Sequence, residues 1–533
     1  MQQEALLIRG GRVLDAGGDL DQPPVCDLLI RDGVIVAVGE AVGEALAAAG
    51  GALAAAGGAL DKPGGALTSP GGAFKTAAAR VIDASGMLVI PGLLNMHYHS
   101  HDVLARGMFE DLSLEHWGVL AGPLGAKRSL AEVRARTLVG AIECLRNGIT
   151  TVQDMSSFSP MSDEVLDTIV DAYAEAGIRV VFGITVRDRS QLETTPYLAE
   201  RLPAELQSVI GTGRDDPAVQ MAFVERQIGR IGTRGGLLRW ALAPSAPQRC
   251  SPGLLESVAD LSRRLALPVY THVYETRMQR VFALEQLQAW GGSAVKLMQA
   301  TGLLGPHVTI AHGIWPDEAE LDLIGASGTH VVLNMLSNLK LKSGVAPMLG
   351  YRARGVNIAL GCDNCSCSDV QSLFQVMKLY CLLAAVSSPE ATGVTAAEAF
   401  IAATRGGARS AGLAGVIGEL KVGQRADLSL LDLSDPAWVP YNSAVRQLVY
   451  SESGRSVHTV IVDGRVVVEA GRAVTVDEAA LRDEVASLMP QVRQDIDRLR
   501  AGHAQVRGHI DAAQKFARDV PLPMHRFVGP QSR

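Results

Sequence analysis

The run Pro91-Gly92-Leu93-Leu94-Asn95-Met96-His97-Tyr98-His99 is apolar and ends in two histidines one residue apart. Side chains at i and i+2 of a strand share a face, so His97 and His99 present two imidazoles to one point. Two neutral imidazoles make half of a tetrahedral or five-coordinate metal shell. Alone, the pair fits two solvated or core-satisfied histidines equally well. Three later apolar runs change that balance. One carries His272 and Glu275 in Val269-Tyr270-Thr271-His272-Val273-Tyr274-Glu275, one ends Thr309-Ile310-Ala311-His312, and one ends Ala359-Leu360-Gly361-Cys362-Asp363. Imidazoles and carboxylates gathered at one rim are the equipment for activating water on a divalent ion and shuttling its protons.

The elements around these residues must bring the run ends together. Apolar strands are predicted near 87–97, 149–155, 178–187, 237–244, 268–274, 307–313, 329–335 and 356–362. Helical periodicity separates them, as in 130–146, 164–176 and 254–265. Eight alternations predict an α/β fold, a (β/α)₈ barrel over residues 86–415, whose site lies at the carboxyl ends of its strands. Short β-rich runs at 1–85 and 416–476, with an Asp463-Gly464 hairpin turn, predict a small discontinuous β-sandwich domain built from both chain ends. Residues 41–79 are rich in Gly and Ala, with too few bulky side chains to offset ordering, and are expected to be a mobile insertion. Residues 477–533 form a helical extension that wraps either the barrel or a second subunit.

Bulk properties exclude several roles. A net charge of −7 over 533 residues gives no field that would collect nucleic acid or an anionic membrane. No run reaches about 18 uninterrupted apolar residues, and Met1-Gln2-Gln3-Glu4 has no basic leader, so neither export nor a membrane span is expected. The seven cysteines form no even secreted framework, and a reducing cytoplasm is the expected location. Cys362, Cys365 and Cys367 around Asp363 have poor spacing for a thiolate site and read equally as small strand-end residues.

Together the run ends resemble the amidohydrolase superfamily, and within it the aminohydrolase group of cytosine and guanine deaminases, methylthioadenosine/S-adenosylhomocysteine deaminases and triazine chlorohydrolases. The similarity extends to Ala311-His312-Gly313-Ile314-Trp315, Ser337-Asn338-Leu339-Lys340-Leu341-Lys342-Ser343-Gly344 and Gly418-Glu419-Leu420-Lys421-Val422-Gly423-Gln424-Arg425-Ala426-Asp427. The resemblance implies one divalent ion held by His97, His99, His272 and Asp363, with Zn expected and Fe or Mn as alternatives. Binuclear members use a lysine or carboxylate on the fourth strand, and Leu237 to Pro244 has neither. It further implies Glu275 as proton carrier, His312 as a catalytic group that polarises the attacked centre or holds hydroxide, and Asp363 as a second proton acceptor.

The implied reaction is hydrolytic displacement, most often of ammonia, from an sp² carbon of a small nitrogen heterocycle. Loss of sulfide, chloride or alkylamine from a thiohydantoin- or triazine-type ring, opening of a cyclic amide, and a non-catalytic scaffold are the alternatives. His101, Gln153, Arg187, Ser245 and Asn338 are candidate substrate contacts, and Arg187 reads either as a carboxylate clamp or as half of a rim salt bridge. Family likeness also implies a homo-oligomer, dimer or tetramer. Two departures fall near the substrate: Leu333-Asn334-Met335-Leu336 where the group often has His or Asn before Pro, and Asn364 where Gly often follows the Asp.

Overall fold

The computed structural model describes residues 5–48, 80–211, 216–388 and 392–527. Parallel strands Leu93–Tyr98, Ile149–Ser156, Arg179–Val186, Leu238–Trp240 with Ala243–Pro244, Val269–Val273, Val308–His312, His330–Leu333 and Ile358–Leu360 follow one another around a (β/α)₈ barrel. A parallel bridge between Leu242 and Val269 joins its two halves, and the Asp363 amide donates to the His97 carbonyl at 2.8 Å where the last strand meets the first. Helices cover the outer face, so a strand such as Ile149–Ser156 is buried at every position, as expected of parallel strands covered on both sides. Ser129, Ser162 and Ser251 cap the helices Leu130–Arg146, Asp163–Ala176 and Pro252–Leu265, each hydroxyl accepting an otherwise unpaired N–H. Inside the barrel, Leu94, Met96, Val181, Ala241, Tyr270, Ala311, Val332 and Ala359 pack against Ala408, Ala411 and Ile417.

The first barrel strand differs from its predicted span. Residues 87–97 are two strands: Met87–Pro91 pairs with Leu428–Asp432 in the terminal sheet, and Leu93–Tyr98 opens the barrel. Gly92 separates them because a Cβ there would lie 2.0 Å from Thr150 Oγ1, a contact only glycine avoids. The register against the second strand also slips by one residue between Asn95 and Tyr98, a bulge of the kind that re-aims side chains beside active sites.

The terminal strands assemble as expected from both ends of the chain. Among the described residues, nine strands form one sheet in which Leu428–Asp432 bridges the N-terminal set to the hairpin Val457–Val462 and Arg465–Glu469. Leu6, Ile8, Leu28, Ile30, Val89, Leu428, Leu430 and Ile461 make its core. The start of the Gly/Ala-rich insertion is the helix Ala41–Ala48, in which Val42 packs into a small cluster with Leu7, Leu29 and Ala37. Residues 49–79, the rest of that insertion, lie outside the described residues.

Residues Glu478–Asp519 are one 42-residue helix running over this chain's own barrel. Its buried side chains, Val492, Ile496, His503, Val506, Ile510, Ala513 and Ala517, recur every three to seven residues on one stripe. Arg134 pairs with Glu484 at 3.0 Å, and the His116 and His503 rings meet at 3.0 Å. No helix among the described residues is long and apolar enough to cross a membrane.

One buried ion pair locks barrel to terminal sheet. Arg179 donates to both oxygens of Asp427, at 2.7 and 3.0 Å, and to Asp463 at 3.0 Å. Asp427 is 2% exposed, so Arg179→Met leaves an unpaired buried carboxylate, a change that costs about 3–5 kcal/mol. Thermal unfolding of Arg179→Met is expected well below wild type, with partial recovery in Arg179→Met/Asp427→Leu; equal midpoints for wild type and the single variant would refute this role.

Candidate functional site

Six titratable side chains meet at the carboxyl ends of the first, fifth, sixth and eighth barrel strands. His97 and His99 follow from the first, His272 and Glu275 from the fifth, His312 from the sixth and Asp363 from the eighth. The Nε2 atoms of His97 and His99 are 3.3 Å apart, and Asp363 Oδ1 is 3.5 Å from the first and 3.4 Å from the second. Ligand atoms about 2.0–2.1 Å from a tetrahedral ion are separated by about 3.3–3.4 Å, so these spacings match the edges of a metal shell. His97, His99 and His272 offer nitrogens mutually within 4.8 Å, as do His97 and His312 with a carboxylate oxygen of Asp363. Both groupings share His97 and so describe one centre.

The histidine protons are placed by neighbours that can only accept. His99 Nδ1 lies 2.7 Å from the Met155 carbonyl oxygen and His272 Nδ1 lies 2.6 Å from that of Ser245. Each Nδ1 therefore carries the hydrogen, which leaves an Nε2 lone pair facing the centre. His312 Nδ1 sits 2.8 Å from Asn338 Oδ1 and 3.4 Å from Asn334 Nδ2, and the shorter contact, to an acceptor, favours the same tautomer. Burial, with the charges of neighbouring imidazoles, holds His97 and His272 well below the ordinary imidazole range. Neutral nitrogens are what a cation requires, and the donor set of three imidazoles and a carboxylate fits a divalent ion such as zinc.

The two carboxylates are pushed apart. Burial raises Asp363, but His312, His99 and the Ser337 hydroxyl outweigh it and the group lies below the ordinary carboxyl range. Burial, then the charges of Asp363 and Glu115, push Glu275 well above its ordinary value. Glu275 Oε2 is 3.6 Å from His312 Nε2, and Asp363 Oδ2 is 3.7 Å from that same nitrogen. One acid poised to carry a proton and one held as an anion is the division of labour that acid/base chemistry needs.

A second set of contacts fixes the first and last strands at the required distance. Asn95 Oδ1 accepts from the Cys362 amide at 2.9 Å, Asn95 Nδ2 donates to Gln371 Oε1 at 2.8 Å, and Gln371 Nε2 donates to the Asp363 carbonyl at 2.9 Å. Gly361 permits the approach, since a Cβ there would lie 2.7 Å from His97 Cβ and 2.4 Å from Asn334 Oδ1. Tyr274, His312 and Asp363 all adopt positive φ, at 51°, 71° and 67°, so these strand ends carry backbone strain.

A cavity of about 540 Å³ opens onto these groups. Of the substrate candidates, His101, Arg187 and Ser245 line it. Gln153 is fully buried beside His97, and Asn338 serves His312; neither lies on the cavity wall. Glu115, Trp117 and Arg249 line it without having been marked by the sequence. Glu115 accepts from Thr276 Oγ1 at 2.8 Å and from Gln514 Nε2, on the C-terminal helix, at 2.6 Å. The only signal for Glu115 and Trp117 is an amphipathic helix in the long connection after the first strand, and nothing local pairs that helix with a segment 400 residues away.

Against known proteins, the amidohydrolase family matches residues 88–467. Over 409 residues the chain is 34% identical to a 5-methylthioadenosine/S-adenosylhomocysteine deaminase of Syntrophobacter fumaroxidans, spanning 76% of this chain and 86% of that one. It is 30% identical to a 5'-deoxyadenosine deaminase of Methanothermobacter thermautotrophicus over 480 residues, 90% of this chain and 96% of the relative. A zinc-bound adenosine deaminase structure from Xanthomonas campestris superposes with a TM-score of 0.72 at 25% identity, covering 93% of this chain and 98% of that one. An atrazine chlorohydrolase of Arthrobacter aurescens complexed with zinc shares the fold, with a TM-score of 0.72 at 23% identity over 91% of this chain and all of that one. The chain belongs to the amidohydrolase family. It is an enzyme, a metal-dependent hydrolase of the aminohydrolase group.

Gly361→Ala forces His97 and Asn334 apart from the eighth strand. Metal affinity, measured by competition with a chromophoric chelator, is expected to fall by about 10–100-fold, the range for disturbed supporting contacts; unchanged affinity would remove Gly361 from this role.

Proposed function

We propose that the protein is a mononuclear zinc-dependent deaminase that displaces ammonia from an amino-substituted nitrogen heterocycle of adenine type. The observation that carries this reading is the metal-edge spacing of His97, His99 and Asp363 beside a raised Glu275. The relatives named as deaminases of adenosine-like nucleosides support the ring class and the leaving group. His97, His99, His272 and Asp363 would hold the ion. Such an ion supplies Lewis acidity and makes water acidic enough to ionise near pH 7. The fourth strand, Leu238–Trp240 and Ala243–Pro244, offers no lysine or carboxylate to a second ion, which supports one ion per chain.

The chain's own groups move the protons. Glu275, pushed well above its ordinary range by burial and by the charges of Asp363 and Glu115, takes a proton from the attacking water and delivers it to the ring nitrogen next to the attacked carbon. His312 Nε2, between Glu275 and Asp363, accepts the O–H of the attacking group and orients it. Asp363, kept ionised, accepts the second water proton, which leaves with the amino group as ammonia. The balance is one water consumed, one C–N bond broken, one C=O formed and one ammonia released. All seven cysteines are free, which supports a reducing cytoplasm as its location.

Purified protein is expected to hold about one zinc per chain by elemental analysis and to release ammonia from at least one aminated purine or pyrimidine. Ring substrates that yield chloride or sulfide but never ammonia would overturn deamination while leaving the hydrolase intact. Glu275→Gln is expected to lower kcat by about 10²–10⁴-fold with the zinc content retained; a rate within a few-fold of wild type would remove Glu275 from proton transfer.

A further inference from the structure

The second barrel strand, Ile149–Ser156, brings no ligand and no proton carrier to the centre, yet its last residues grip the chain that does. It runs beside Leu93–Tyr98, and the ladder between them steps from the pair Asn95 and Val152 to the pair Tyr98 and Asp154, three residues on the first strand against two on the second. The extra residue interrupts regular pairing beside His97, so the path of the chain beyond it must be fixed by other bonds. Asp154 Oδ1 accepts the Ser100 amide at 3.1 Å, and Oδ2 accepts the Ser100 hydroxyl at 2.7 Å. The Tyr173 hydroxyl, from the helix Asp163–Ala176, donates to the same Oδ2 at 2.8 Å. One residue further along the strand, the Met155 carbonyl lies 2.7 Å from His99 Nδ1.

This grip is buried and lies off the reaction cavity. Asp154 is 0% exposed, Ser100 and Tyr173 are each 1% exposed, and none of the three lines the cavity wall. Contact with substrate therefore does not account for them. Two bonds from one carboxylate to one residue fix both the position and the direction of the chain, and the residue they hold is the one that follows His99. A ligating imidazole faces a cation through one nitrogen only when the other nitrogen meets an acceptor. Met155 is that acceptor for His99, and it is the neighbour of Asp154 in the chain.

We propose that Asp154, locked by Tyr173, is a positioning residue of the metal centre: by anchoring Ser100 it keeps His99 against the Met155 carbonyl, with Nε2 turned to the ion. The proposal rests on the metal-ligand reading of His99 and gives a part in it to a strand that carries no ligand. Geometry, not charge, is what the role requires. An asparagine in place of Asp154 still offers Oδ1 to the Ser100 amide, while its Nδ2 donates to the Ser100 and Tyr173 hydroxyls, which can turn to accept.

The test measures zinc affinity, by competition with a chromophoric chelator, and the visible absorption of the cobalt-loaded protein, which reports ligand geometry. Asp154→Leu is expected to weaken zinc binding by about 10–100-fold and to change the cobalt spectrum. Tyr173→Phe and Ser100→Ala, which each remove one hydroxyl, should weaken it by about threefold or more, and they carry the test if Asp154→Leu does not fold. Asp154→Asn should stay within about twofold of wild type. In the metal-free protein, nitrogen-15 spectra are expected to show His99 with its hydrogen on Nδ1 in wild type and Asp154→Asn, and a mixture of tautomers in Asp154→Leu. Variants that lose thermal stability but keep the affinity, the cobalt spectrum and the His99 tautomer overturn the positioning role, because a purely structural network would do only that. An Asp154→Asn variant as impaired as Asp154→Leu overturns it as well. A wild-type protein that binds neither metal yet shows the tautomer difference sinks the metal-ligand reading alone and leaves the hold on His99 standing.

Discussion

The approach of the first barrel strand to the eighth governs everything else in this molecule. Three nitrogen lone pairs and a carboxylate are held at separations of a few ångströms in a buried site, an arrangement that neighbours must enforce in the absence of an ion. The enforcement is local and traceable. Asn95 bonds the Cys362 amide, Gln371 ties Asn95 to the Asp363 carbonyl, the Asp363 amide reaches the His97 carbonyl, and Gly361 lets the two backbones close. Asn95, which carries no chemistry of its own, is as necessary to the spacing as the histidines it precedes.

Backbone strain at the strand ends follows from the same demand. Tyr274, His312 and Asp363 are all non-glycine residues at positive φ, a conformation that costs about 1–3 kcal/mol each. The surroundings that hold them are correspondingly rigid. Tyr274 Oη donates to Glu320 at 2.7 Å and accepts from Arg280 at 2.7 Å and from the Ala294 amide at 2.8 Å, while His312 is oriented by Asn338. The candidate catalytic residues are therefore displayed by turns that would relax elsewhere if those bonds were lost.

What the sequence reveals and conceals divides along range of interaction. His97, His99, His272, Glu275, His312 and Asp363 were legible because each ends an apolar run, and barrel strands all expose their carboxyl ends at one face. The break at Gly92 and the bulge after Asn95 were not, because both fit a neighbour, Thr150 and the second strand, that lies about sixty residues away. The helix over Ala41–Ala48 escaped a composition argument because its Val42 and Ala45 pack onto Leu7, Leu29 and Ala37, contacts that composition does not reveal. Arg249 escaped because nothing in Pro247-Gln248-Arg249 distinguishes a surface arginine from one pressed against a cavity; only the loop bonds to Asp188 and Arg189 do that.

The C-terminal helix shows how far such dependence extends. It is remote in sequence from every candidate catalytic group, yet Gln514 donates to Glu115, Glu115 accepts from Thr276, and Thr276 follows Glu275 directly. Ile510 and Val506 pack with Val119, Leu192, Leu198 and Met278, which back the same wall of the cavity. A barrel alone supplies the floor of candidate metal ligands, because that needs only strand ends. The wall that shapes what the floor acts on is assembled from loops of differing length, and loops hold a shape only when something rigid is laid across them. A single long helix with one apolar stripe does this with few specific bonds, so the ligand chemistry at the strand ends can stay fixed while the wall above it is recut by changes in loops and helix together.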